Sequence, residues 1–185
     1  YLVIFLTVAM RTKTRDQFLR IIWLIAAVGT LSAAYGVSQY FGWDPIGRGE
    51  DLERVIGSYG NPIFFGAFLV LSAPIVIALG LQQGESGRRW ALCAGSFALG
   101  LHIAALWFAG SRGPLIGGAI GLITLLMIAT VSLGAVRATK IVVMVAAGSI
   151  IALFIGLLSG GEPAPGRGFA QFKIVFSELT DGVQF

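Results

Sequence analysis

Residues 62–81 read PIFFGAFLVLSAPIVIALGL, an uninterrupted run with no Asp, Glu, Lys or Arg. A helix rises about 1.5 Å per residue, so a run of this length matches the hydrocarbon core of a bilayer, about 30 Å thick and spanned by about 20 apolar residues. In that solvent every backbone N–H and C=O must be satisfied within the segment, which leaves the α-helix as the form such a run adopts. Four further windows of comparable length carry no Asp, Glu, Lys or Arg: residues 21–42, 90–110, 114–135 and 141–159. Residues 1–10 are also apolar, but ten residues as a helix rise only about 15 Å. They are expected to be the stub of a sixth helix cut short. The chain lacks an initiating Met and a basic stretch before this stub, which argues for a fragment and against a secretory leader.

Composition agrees. Of the 185 residues, 56% are hydrophobic and 12% charged, about half the charge of an ordinary soluble domain. The expected fold class is an all-α membrane protein, a polytopic transmembrane helix bundle of five full spans plus a truncated one, forming a single membrane domain over 1–185.

The connecting segments alternate in charge. One set carries Arg11, Lys13, Arg15, Arg20, Arg88, Arg89, Arg137 and Lys140 against only Asp16 and Glu85. The other carries Arg48, Arg54, Arg112, Arg167 and Lys173 against Asp44, Glu50, Asp51, Glu53, Glu162, Glu178 and Asp181. Lys and Arg accumulate on cytoplasmic loops, so the first set is read as cytoplasmic and the second as outer. The net charge of +4 thereby reflects orientation and makes no case for nucleic-acid binding. The outermost stretch, 160–185, is expected to begin an outer, periplasmic loop. Its breaker cluster Gly160-Gly161-Glu162-Pro163-Ala164-Pro165-Gly166 ends the fifth span. Beyond it Phe169, Phe172, Phe176 and Leu179 recur at helical spacing, a pattern that fits an interfacial amphipathic helix or a packed loop helix equally.

Within the spans, Gly113, Gly117 and Gly121 recur every four residues down the fourth, a spacing that lets another helix backbone approach closely. The chain has one cysteine, Cys93, and one histidine, His102. They supply neither a disulfide nor a Cys/His metal cluster, and no metal or cofactor is implied. His102 stands about eight residues below the outer end of the third span, where hydrogen bonding to a neighbouring helix is the simpler reading and contact with substrate the other.

Chemistry is sought among ionisable groups at the outer helix ends, because a charge near hydrocarbon is costly without a task or partner. Arg54 precedes Asn61-Pro62, and Arg112 lies in Ser111-Arg112-Gly113-Pro114. Asn before Pro reads as an N-cap followed by a first helical turn, and Pro114 likewise suits a first turn. Two helix N-termini therefore face the outer side. Their unpaired N–H groups and positive dipole ends favour an anion, and a guanidinium beside each suits phosphate oxygens bidentately. An outward-facing diphosphate site formed by Arg54 and Arg112, supported by Asn61, is the expectation. Against it stand two plainer readings: Arg54 ion-paired with Glu50, Asp51 or Glu53 on a solvated loop, and Arg112 snorkelling at the interface.

Three local motifs occur in order on the outer side: Tyr35-Gly36-Val37-Ser38-Gln39-Tyr40-Phe41-Gly42-Trp43-Asp44-Pro45, then Arg54-Val55-Ile56-Gly57-Ser58-Tyr59-Gly60-Asn61-Pro62, then Ser111-Arg112-Gly113. In these residues the chain resembles the O-antigen ligase family, which also includes O-antigen polymerase-type and protein O-oligosaccharyltransferase enzymes. The resemblance implies a metal-independent glycosyltransferase of the bacterial inner membrane, active in lipopolysaccharide biosynthesis or related glycan assembly. Such an enzyme moves a glycan from an undecaprenyl-diphosphate carrier to a lipid, glycan or protein acceptor at the periplasmic face. It further implies that Arg54 and Arg112 hold the carrier's diphosphate. The family's acceptor-activating histidine belongs to a large outer loop after these spans, and this chain ends at Phe185 before it; His102 does not match that position. A transporter or flippase subunit for an anionic lipid-linked substrate is the alternative, and a non-catalytic scaffold a third. Transporters commonly bind substrate near the midplane on broken helices, whereas these arginines lie at one face.

Overall fold

The computed structural model describes residues 2–44 and 54–158. The expectations for 160–185, and the acidic neighbours Glu50, Asp51 and Glu53, lie outside the described residues. The described residues form six helices and no strand: α1 Leu2–Arg11, α2 Arg15–Tyr40, α3 Pro62–Glu85, α4 Trp90–Ala109, α5 Arg112–Leu133 and α6 Ala135–Leu158. The last five are each long and apolar enough to cross a bilayer, so the chain is a multi-pass membrane helix bundle. Thr14 starts α2 with a capping box, its Oγ1 accepting from Gln17 N at 3.2 Å while Gln17 Oε1 accepts from Thr14 N at 3.2 Å. That reciprocal pair satisfies two otherwise orphaned donors. Asn61 caps α3 as expected, its Oδ1 accepting from Ile63 N at 2.8 Å, with Pro62 in the first turn. Gly110, at φ 57° and ψ 29°, closes α4 in the left-handed conformation that glycine adopts without a Cβ penalty.

α4 is the central helix, packed against α2, α3 and α6, while α5 lies outside against α3 and α6. Burial follows that order, with 56% of the apolar window of α4 inside the protein and 6% of that of α5. Large side chains such as Ile116, Ile123, Met127 and Val131 on α5 are exposed. In water such a surface would aggregate, whereas in hydrocarbon it meets its own solvent. Helices pack closely where one lacks a side chain. A Cβ added to Gly100 would stand 2.7 Å from Ile151 Cγ2 and 3.0 Å from Gly148 O, between α4 and α6. One added to Gly95 would stand 3.3 Å from Gly80 Cα, between α4 and α3.

Two expectations are corrected. Nothing lies within 4 Å of a Cβ built on Gly113, Gly117 or Gly121, so the glycine stripe of α5 seats no neighbouring helix. Only their neighbour Gly118 meets another helix, at Val70. The segment expected to join the fourth and fifth spans shrinks to Gly134, at φ 86°. Arg137 and Lys140 stand on the first turns of α6, a place that long basic side chains near helix ends tolerate because their heads can reach the interface. There Arg137 holds Glu85 at the end of α3 in a two-pronged pair, Nε to Oε1 at 2.9 Å and Nη2 to Oε2 at 3.0 Å, with Lys140 at 3.6 Å.

Candidate functional site

At the opposite end from Glu85 the bundle brings together the last turn of α2, residues 54–60, the start of α3 and the α4–α5 turn. Arg54 organises this region. Its half-buried guanidinium donates from Nε to Ala109 O at 3.0 Å, and from Nη2 to Gly110 O at 2.6 Å and Ser111 Oγ at 2.9 Å. The acceptors are the carbonyl end of α4 and the residue that opens α5. A cation is electrostatically favoured at a helix C-terminus and satisfies carbonyls that have no partner within the helix. Ser111 is 2% exposed and forms no side-chain cap on α5; its oxygen accepts from Arg54 instead. Arg112 follows directly, as the first residue of α5 with its side chain exposed.

Residues 54–60 are held from the other side by α2. Gln39 Oε1 accepts from Ile56 N at 3.2 Å and Gly57 N at 3.0 Å, while Nε2 donates to Asp44 Oδ2 at 3.1 Å. Tyr35 Oη donates to the other oxygen of Asp44. Val55 and Ile56 are 4% and 7% exposed and anchor the segment in the protein. Gly57 turns at φ 55°, where a Cβ would strike the Phe65 ring at 2.8 Å. Aromatic contacts close the layer, with Tyr40 stacked on Phe108 at 3.8 Å between centroids and Tyr59 tilted over Phe65 and Phe68.

The three sequence motifs therefore meet in space: Gln39, itself bonded to Asp44, holds Ile56 and Gly57, and Arg54 holds the turn that presents Arg112. No family model, curated protein or solved structure matches the chain. Of the residues singled out from sequence, Arg54 and Arg112 lie at the same end of the bundle, joined through Ser111. Asn61 caps the neighbouring helix. Arg54 directs three of its five N–H donors at the protein itself, a role that reading it as a free phosphate ligand missed. Gln39 was passed over as well. Its sequence signals are its place within the first motif and a polar amide in the last turn of an apolar span, where a buried donor and acceptor need partners.

Below the turn, an apolar cleft of about 180 Å³ lies among α3, α4, α5 and α6, reaching from Leu115 to Leu125 along α5. His102, 2% exposed, lies on its wall. Nδ1 donates to Ala98 O at 2.7 Å, since a carbonyl only accepts, and Nε2 pairs with Ser72 Oγ on α3 at 3.1 Å. Gly29 of α2 makes room for that pair, because a Cβ there would lie 2.5 Å from Ser72 Oγ. His102 is thus a bonded interhelical polar group, in agreement with the simpler reading of the sequence.

Proposed function

We propose that this chain carries the diphosphate-binding part of a membrane glycosyltransferase of the O-antigen ligase kind, acting on an undecaprenyl-diphosphate-linked glycan at the periplasmic face of a bacterial inner membrane. The observation that carries the reading is the seating of Arg54 on Ala109, Gly110 and Ser111, which fixes the turn from which Arg112 projects. Arg112 is the direct diphosphate ligand, set in the first turn of α5 where backbone N–H groups and the dipole also favour an anion. Arg54 places it, and its Nη1 edge adds positive potential. Asn61 orders the start of α3. The cleft below offers an apolar wall to the carrier's isoprenoid chain.

In the reaction, an acceptor hydroxyl attacks the anomeric carbon, the bond from that carbon to the diphosphate oxygen breaks, and the bonding pair leaves on the diphosphate. The hydroxyl proton passes to a base supplied from elsewhere in the protein. Arg112 stabilises the charge growing on the leaving group, a preorganised contribution whose loss elsewhere costs about 100- to 1,000-fold in rate. Arg112→Ala is therefore expected to slow transfer from a lipid-diphosphate glycan by about 100-fold, assayed in membranes carrying the intact gene product. Arg112→Lys should recover only part of it, because an ammonium lacks the bidentate fork. Wild-type turnover in Arg112→Ala would remove the proposal. Full transfer with Lys would replace two-pronged recognition by a point charge.

A further inference from the structure

A second groove lies at the basic end of the bundle, between α2, α3 and α4, with a volume of about 480 Å³. Its wall is apolar, formed by Leu79 and the small side chains Ala27, Ala94 and Ala98. Trp23 and Trp90 flank its mouth, 47% and 68% exposed, and Arg88 stands there with them. From Trp90 to Ala98 the groove follows α4 for about 12 Å, close to the roughly 15 Å that one leaflet contributes to the hydrocarbon core. Arg88 donates from Nη1 to Gln83 Oε1 at 2.9 Å, which orients the guanidinium at the mouth. Tryptophans mark the headgroup level of membrane proteins, and basic pockets between membrane helices receive anionic lipid headgroups.

We infer that this groove holds one anionic phospholipid of the leaflet at the basic end, an acyl chain lying along α4 and the phosphate on Arg88. The dimensions fit a single chain in a single leaflet, and the polarity reverses where a lipid's does, from alkyl wall to guanidinium. Charge complementarity selects an anionic headgroup over a zwitterionic one. The site is separate from the outer turn and does not depend on the glycosyltransferase reading.

The test is lipid titration into the detergent-solubilised chain, with bound lipid counted by native mass spectrometry. Phosphatidylglycerol is expected to be retained over phosphatidylcholine of the same chains, and Arg88→Gln to weaken its retention roughly fivefold. Arg89→Gln, a charge outside the groove lining, should leave retention unchanged, and Ala94→Leu, which fills the wall, should lower it. Arg88 and Ala94 are exposed, so both variants keep the fold, checked by helicity. Equal retention of the two lipids, retention of neither, or equal losses in Arg88→Gln and Arg89→Gln would overturn the inference.

Discussion

Replacing Arg54 by Ala removes three hydrogen bonds at once and leaves their acceptors without a donor. Ala109 is wholly buried and Ser111 is 2% exposed, so water reaches neither freely. A hydrogen bond to a charged group contributes about 1.5–3 kcal/mol, and an unsatisfied buried acceptor costs about 1–3 kcal/mol. The guanidinium itself is only half-buried, which screens the charge and argues for the low end. A destabilisation on the order of 3 kcal/mol follows, felt first where the bonds are made. Arg54→Lys keeps the charge but reaches fewer acceptors from its single nitrogen, and should fall between Ala and the native protein. Denaturant unfolding in mixed micelles reads the total, and amide exchange reads its location, with faster exchange expected at residues 55–57 and 110–113. If Arg54→Ala unfolds like the native protein and exchange at those amides is unchanged, the bonds do not hold the turn and Arg112 is not positioned by them.

Gln39→Ala should expose the Ile56 and Gly57 amides to faster exchange at a cost of about 1–3 kcal/mol, while Gln39→Glu retains the acceptor but places a second carboxylate beside Asp44. Gly100→Ala forces a methyl against Ile151 and the Gly148 carbonyl, and is expected to cost about 1–3 kcal/mol in unfolding experiments. By contrast Glu85→Gln breaks an exposed pair with Arg137 and Lys140 and should leave the thermal midpoint unchanged within measurement.

Where the sequence told the fold, it did so because hydrocarbon permits so few forms: a charge-free run of about 20 residues has to be a helix. Helix ends were harder. Arg137 and Lys140 look like loop residues because they are charged, yet flexible stems let them extend a helix past the apolar window. The glycine stripe of α5 failed for a related reason, since four-residue spacing where no helix comes close is indistinguishable in sequence from the same spacing at a contact. The glycines that do allow close approach, Gly29, Gly80, Gly95, Gly100 and Gly148, are scattered over four helices. At the end that carries Arg54, Asn61 was legible because its partner is two residues away. The grip of Arg54 was not, since two of its acceptors are main-chain carbonyls more than fifty residues distant, and a backbone oxygen leaves no mark in a sequence.

Helix α5 buries little of itself, yet it is fastened at both extremities. One end runs into α6 through the single residue Gly134, and the other is pinned where Arg54 grips Gly110 and Ser111. Between them Gly118 meets Val70 and Ala129 is buried in a core cluster, so the side of α5 turned toward α3 and α6 is held while its opposite side is given over to lipid.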